Sequence, residues 1–235
     1  GYATTASHVT APFLYRKLPY DPVKDFTPIS LAAEHVNVLV TGNASRIQSV
    51  PQLIAFAKKN PDKLTFGSAG IGSTNHLSVE LLMKMTGTRM RHVPYKGSGP
   101  ALIDVVAGTI DFMFDVPLTC MPLVNAGRLR ALGTTLANKS RHRSVPDLPA
   151  IAEFVPGYEV VGWVGLVGPA GMPAQAVSQI SQALNALMSD PATAVKLARQ
   201  GFDASAGGPA QMAARITRDH RIWGELITST GIRLE

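Results

Sequence analysis

Residues 65–76 read Thr-Phe-Gly-Ser-Ala-Gly-Ile-Gly-Ser-Thr-Asn-His, and this stretch decides the fold. A short β-type run, residues 64–66, leads into it. A helical pattern leads out, with Leu77, Leu81, Leu82 and Met85 on one stripe and Gly87 as its stop. A strand, a turn of glycines and hydroxyls, then a helix start form a device for holding an anion. The first amides of a helix have no partner inside it, and the helix dipole favours negative charge there. Gly67, Gly70 and Gly72 let the backbone approach a ligand closely. Ser68, Ser73 and Thr74 add hydroxyls, and either Ser73 or Asn75 serves as N-cap. The alternative is a glycine turn that caps a helix and binds nothing.

The anion need not be a phosphate. A Walker loop requires lysine after its last glycine, and Gly72 is followed by Ser73. The dinucleotide spacing of glycines is also missing, so a carboxylate remains a good candidate.

Working outward, residues 37–41, 89–93, 110–114, 129–135 and 159–167 read as further strands. Helices are expected over 52–59, 101–107 and 118–126, and the last third is helical, starting at Pro173, Ala192 and Pro209. The polar, basic segment 138–149 reads as an exposed connection. Strands alternating with helices predict an α/β fold with mostly parallel sheets flanked by helices. In such sheets ligands bind beyond the carboxyl ends of the strands. Those ends carry the 68–74 loop, Tyr95-Lys96-Gly97-Ser98, and Asp115. Asp115 either accepts from an amino or hydroxyl group of a ligand or caps the helix that follows. Lys96 complements a carboxylate or lies on the surface. His76 donates to an anion or packs in the first helical turn, and His8 has the same two readings.

The 235 residues suit one large domain or two small lobes, and 46% hydrophobic content suffices for a core. No apolar run reaches the roughly 18 residues of a membrane span. The formal net charge is +6, but the basic residues are scattered. Only Arg128, Arg130, Lys139, Arg141 and Arg143 approach a cluster, without interleaved aromatics, so no nucleic-acid partner is assigned. A mild positive field steers small anions instead. The single cysteine, Cys120, excludes an internal disulfide and reads as a core thiol. His35, His92 and His220 are isolated, His142 lies in the basic segment, and no metal-ligand spacing or Gly-x-Ser-x-Gly elbow occurs. No catalytic residue, metal or cofactor is assigned. No signal peptide opens the chain, and residues 1–8 look like the middle of a strand-to-loop transition.

Several stretches match one family in order. They are Leu18-Pro-Tyr-Asp-Pro-Val-Lys-Asp-Phe26, then Phe66-Gly-Ser-Ala-Gly-Ile-Gly-Ser73 with His76-Leu77, and His92-Val-Pro-Tyr-Lys-Gly-Ser-Gly-Pro-Ala-Leu102. Asp111-Phe-Met-Phe-Asp115, Gly127-Arg-Leu-Arg-Ala-Leu132, and Pro156-Gly-Tyr158 with Pro169-Ala-Gly-Met-Pro173 complete the set. Together they resemble the Bug, or TctC-like, extracytoplasmic solute receptors of tripartite tricarboxylate transporters.

The resemblance implies a two-lobed periplasmic-binding-protein-like fold that closes on a small organic carboxylate. Lobe 1 comprises residues 1–40 and 163–235, and lobe 2 comprises 41–162. In the family, the loop matching Ser68, Ala69, Gly70, Gly72, Ser73 and Thr74 holds the ligand carboxylate. The position matching Asp115 meets a ligand substituent, and Thr5, Ser7 and His8 lie in the segment matching the opposite wall. Family members carry roughly another half-lobe before this start, including a loop that clasps the second ligand end. The resemblance therefore implies an incomplete first lobe, as in a fragment or an unusually short member, and weak binding by the chain as given. The implied function is capture of a di-, tricarboxylate or related acid in the periplasm, for delivery to membrane permease subunits. The alternatives are a carboxylate-processing enzyme using Asp115 and a histidine, and a binding protein that feeds a sensor.

Overall fold

Strand β2, Phe26–Val36, and strand β3, Val38–Gly42, are separated by Asn37 alone, yet they belong to different sheets. The computed structural model describes residues 1–137 and 142–233. Its described residues fall into two units. One lies within Gly1–His35 and Gly162–Glu235, the other within Val36–Val161. The first boundary thus falls at Val36 rather than residue 41, because all of β3 belongs to the second unit.

The first unit holds β1 (Tyr2–Thr4), a π-helical turn (Ala6–Thr10), α1 (Ala11–Leu14) and β2. After the second unit the chain returns as β8 (Val161–Pro169), α6 (Ala174–Met188), α7 (Pro191–Arg199), β9 (Phe202–Gly207) and α8 (Pro209–Thr230). The sheet order is β1-β8-β2-β9, with β1–β8 and β2–β9 antiparallel. Trp163 on β8 is fully buried, and its indole nitrogen donates to Asp219 Oδ2 on α8 at 2.9 Å. Asp219 also accepts from Arg215 and Arg218, and Arg215 reaches Glu34 on β2. A charged network this deep is tolerated because each ionised group has a hydrogen-bonded partner.

The second unit carries α2 (Val50–Lys59), β4 (Thr65–Ser68), α3 (Thr74–Thr86), β5 (Arg91–Pro94), α4 (Ser98–Ala107), β6 (Phe112–Asp115), α5 (Pro117–Asn125) and β7 (Leu129–Thr134). Its sheet order is β5-β4-β6-β3-β7. The β4–β5 and β4–β6 ladders are parallel, and β3 is antiparallel to both β6 and β7. The α/β expectation holds, but "mostly parallel" needs correcting to mixed. β3 runs against its four companions, and β1–β8 and β2–β9 are antiparallel too. Alternation in sequence registers that a helix follows a strand. It does not register direction when the two strands are not neighbours, as with β3 and β4.

Side chains from β3, β6 and α4 fill one core, where Val38, Val40, Leu102, Val105 and Met113 are buried with Cys120. Burial pushes the Cys120 thiol far above its ordinary range, so it is an inert core thiol. Two expectations about burial change here. On α3 the buried face is Asn75, His76, Leu77, Ser78, Val79 and Leu82, whereas Met85 is 39% exposed. Polar groups occupy that face because each finds a partner. Ser78 Oγ donates to Thr74 O, Asn37 Nδ2 donates to Ser78 Oγ, and the buried Tyr158 hydroxyl donates to Ser78 O. The segment beyond residue 141 is not simply an exposed connection. His142, Val145 and Ala150 are buried, and Ala150 bridges to Thr134. Lys139 and Arg141 of the basic cluster lie outside the described residues.

Candidate functional site

Parallel β4, β5 and β6 bring their carboxyl ends to one edge of the sheet. Ser68 stands in register with Pro94, and Gly67 with Met113. Each strand feeds a helix, so the starts of α3, α4 and α5 gather along that edge. Three helix starts carry unpaired amides and positive dipole ends, which makes this edge favourable for an anion.

Asp115, at the end of β6, ties these starts together. Its carboxylate is fully buried. Oδ1 accepts from Asn75 Nδ2 at 3.2 Å, in the first turn of α3, and from Ser98 Oγ at 2.6 Å, the first residue of α4. Oδ2 accepts from Thr119 Oγ1 in the first turn of α5. Burial raises the carboxyl above its usual range, opposed by the hydrogen bonds from Ser98, Thr119, Val116 and Asn75. The carboxylate is therefore occupied by protein donors from three helices. In this arrangement it holds the helix starts in place and presents no free oxygen to a ligand substituent.

The 68–74 loop is held from within. The Ser68 hydroxyl donates to Gly70 O and accepts from Gly70 N. Ser73 is the N-cap of α3; its hydroxyl accepts from His76 N and donates to Gly70 O at 2.7 Å. Gly72 N donates to His76 Nδ1 at 3.2 Å. Gly70 has φ +140° and Gly72 has φ +79°, backbone that L side chains rarely adopt. Ser68, Gly70, Gly72 and Ser73 thus spend their polar groups on the loop's own shape. Among the described residues, the amides of Ala69, Ile71 and Thr74 and the Thr74 hydroxyl have no protein partner. These are the groups left for an anion. Lys96 is exposed beside the site.

From sequence His92 reads as isolated. The structure stacks it on His76, with ring centroids 4.0 Å apart, and on Phe66 at 4.8 Å. Its Nε2 lies 2.7 Å from Ser68 Oγ. Burial, helped by His76, pushes the His92 imidazole down to about 3. From sequence, Asn75 reads only as a possible cap, Ser98 only as a polar group at a strand end, and Thr119 has no role. Their available signals were a serine at a glycine-led helix start and a threonine one turn beyond Asp115.

Thr5, Ser7 and His8 belong to the first unit. Thr5 is buried, and its hydroxyl accepts from Trp163 N at 3.2 Å. Ser7 exchanges bonds with Thr4 and lies 3.0 Å from His8 Nδ1. His8 packs edge-on against Phe26, and its carbonyl accepts from His220 Nε2 at 2.6 Å. Burial, then the neighbouring His220, lowers the His8 imidazole below its usual range. Its Nε2 has no hydrogen-bond partner. Among the described residues no histidine, cysteine or carboxylate group is arranged to hold a metal, and no helix is long and apolar enough to cross a membrane.

Residues 2–232 match the family model for the tripartite tricarboxylate transporter family receptor, TctC. The UPF0065 protein of the tcbD-tcbE intergenic region of a Pseudomonas species is 37% identical over 217 residues, covering 92% of this chain and 64% of that protein. BugT of Bordetella pertussis is 28% identical, covering 100% of this chain and 73% of its own length. The chain thus spans under two thirds of the Pseudomonas protein. Among solved structures, R. palustris Rpa4515 with adipate superposes with a TM-score of 0.90 at 34% identity, covering 99% of this chain and 77% of that one. MatC from Rhodopseudomonas palustris with bound malate gives 0.83 at 26% identity, covering 96% and 78%. A family match over nearly the whole chain, joined to the shared α/β fold, establishes that the chain belongs to the TctC receptors of the tripartite tricarboxylate transporter family.

Proposed function

We propose that this chain captures a small organic carboxylate as the solute-binding component of a tripartite tricarboxylate transporter, acting in the periplasm and delivering its ligand to membrane permease subunits. The two units correspond to the lobes of such a receptor, and the second unit anchors the carboxylate. The observation that carries the reading is the row of unpartnered donors on Ala69, Ile71 and Thr74, set where three helices begin. Each hydrogen bond to a charged carboxylate contributes about 1.5–3 kcal/mol. The adipate and malate in the two similar structures are dicarboxylates, which supports the same ligand class here.

The reading is capture without turnover. An enzyme built on Asp115 and a histidine needs a carboxylate or imidazole free to exchange protons with substrate. Asp115 is saturated by protein donors, and His76 and His92 are committed to each other and to the loop.

An NMR titration of the ¹⁵N-labelled chain with adipate, malate and citrate tests this, because amide shifts report even weak binding. The amides of Ala69, Ile71 and Thr74 should move with ligand, and Thr74→Ala and Gly72→Val should each suppress the response. Saturating ligand that leaves residues 69–75 unmoved would sink the proposal.

A further inference from the structure

The loop is anchored at two points, and a histidine sits at each. His76 Nδ1 accepts the Gly72 amide at 3.2 Å, and His92 Nε2 meets the Ser68 hydroxyl at 2.7 Å. The two rings stack at 4.0 Å with an interplanar angle of 19°, and Phe66 continues the stack beneath His92. A backbone N–H can only donate, so His76 Nδ1 must be bare and its proton must sit on Nε2. That nitrogen lies 3.3 Å from Glu80 Oε1, a suitable acceptor. For Ser68, one consistent assignment is the following. His92 Nε2–H donates to the hydroxyl, the hydroxyl donates to Gly70 O, and it accepts from Gly70 N.

We infer that His76 and His92 are the positioning residues of the carboxylate seat, a stacked imidazole pair that fixes the loop at Gly72 and Ser68 and so leaves the amides of Ala69 and Ile71 unspent for the ligand. The inference rests on the carboxylate-seat reading above. The chemistry explains why imidazoles stand here. Each offers a flat apolar face for burial against Phe66 together with an edge nitrogen that engages the loop. Phenylalanine supplies the face without the nitrogen, and an amide supplies the polar atom without the ring. At Gly72, with φ +79°, the bond to His76 fixes a peptide that would otherwise sample other orientations. A pre-set loop gives up less ordering entropy when the ligand arrives.

The substitutions separate these parts. His76→Phe keeps the stack and deletes the acceptor for Gly72. His76→Asn puts Oδ1 close to where Nδ1 stood and restores that acceptor. His92→Phe keeps the stack and deletes the side-chain partner of Ser68, and His92→Gln restores a polar group there. Adipate affinity, read by NMR titration beside thermal unfolding without ligand, should fall about tenfold in each Phe variant and recover to within about threefold of wild type in His76→Asn and His92→Gln. Long-range ¹H–¹⁵N spectra of the wild-type imidazoles should show the Nε2–H tautomer for His76, and the Gly72 amide should be protected from exchange. If Thr74→Ala weakens binding but folded His76→Phe and His92→Phe bind like wild type, the positioning role is overturned while the seat stands. If no variant, Thr74→Ala included, alters the response, the seat reading itself fails. Should the Phe variants not fold, an Nδ1–H tautomer on His76, or a Gly72 amide exchanging at the rate of a free loop, overturns the inference on the wild-type chain alone.

Discussion

Ser98 Oγ donates to Asp115 Oδ1 at 2.6 Å, joining the first residue of α4 to the last residue of β6. The same oxygen takes Asn75 from α3, and Oδ2 takes Thr119 from α5. Removing this carboxylate strands several donors at once. Asp115→Ala should destabilise the chain by about 2–4 kcal/mol, read from urea unfolding, because each orphaned buried donor carries a desolvation cost. Asp115→Asn should stay within about 1 kcal/mol of wild type at pH 7, since its amide keeps one acceptor and Thr119 rotates to meet the new donor. The raised carboxyl adds a sign. A group that binds its proton more tightly when folded loses stability as pH rises through the window above its unfolded value near 3.8. The Asn variant should lack that loss. Equal stability of the Ala and Asn variants would refute the tie between helix starts.

His92 predicts the opposite slope. Burial pushes its imidazole down to about 3 in the folded chain, against an ordinary value of 6.5. Between those values the unfolded chain binds the proton and the folded chain does not, so stability falls on acidification through that window. From pH 6.5 to 5 the contribution reaches at most about 2 kcal/mol. Solvent around a partly buried ring reduces it further. Thermal unfolding from pH 7 to 5 should show a shallower acid loss in His92→Gln than in wild type. Parallel curves for the two proteins would rule His92 out as a source of the slope.

Much of the second unit is legible in the sequence because its signals are local. Ser73 caps α3 as a serine before a helix should, and Gly87, Gly108 and Gly127 follow the three helices with positive φ. The strands β2 and β9 escape such reading. β9 is Phe-Asp-Ala-Ser-Ala-Gly, small and polar, and exists as a strand because β2 pairs with it. Pro28 and a run of adjacent buried residues hide β2, and its register with β9 shifts between Leu31 and Ala33. The site shows the same division. The loop and its cap are sequence-local, so both can be read at once. The His76–His92 stack depends on the β4–β5 register that sets His92 opposite Phe66, and that pairing leaves no mark in the composition of either segment.

In the first unit, Asp219 gathers Trp163, Arg215 and Arg218, with Arg215 reaching on to Glu34. The Arg215 side chain is only 12% exposed, so its charge depends on these partners. Asp219→Ala takes one acidic partner from that guanidinium and orphans the Trp163 N–H, and it should cost about 3–5 kcal/mol. Glu34 is more exposed, so Glu34→Ala should cost clearly less. Chemical unfolding that ranks the two variants the other way would show that Glu34 is the principal partner.

Gly42 ends β3 against α4, and a Cβ there would stand 2.7 Å from the Val105 carbonyl oxygen. That atom is backbone within a helix, so relief requires moving α4 away from the sheet. Gly87, the αL cap of α3, has nothing within 4 Å of a virtual Cβ and is constrained only by its φ of +65°. The two glycines therefore answer to different physics. Gly42→Ala should lose about 1–3 kcal/mol through overpacking. Gly87→Asn should be nearly neutral, because asparagine tolerates the left-handed region. The Val105 amide, in the core of α4, should also lose exchange protection in Gly42→Ala and keep it in Gly87→Asn. A Gly42→Ala chain with wild-type unfolding midpoint and unchanged protection at Val105 would mean that α4 moves aside without cost, and that the close packing of β3 against α4 does not hold the unit together.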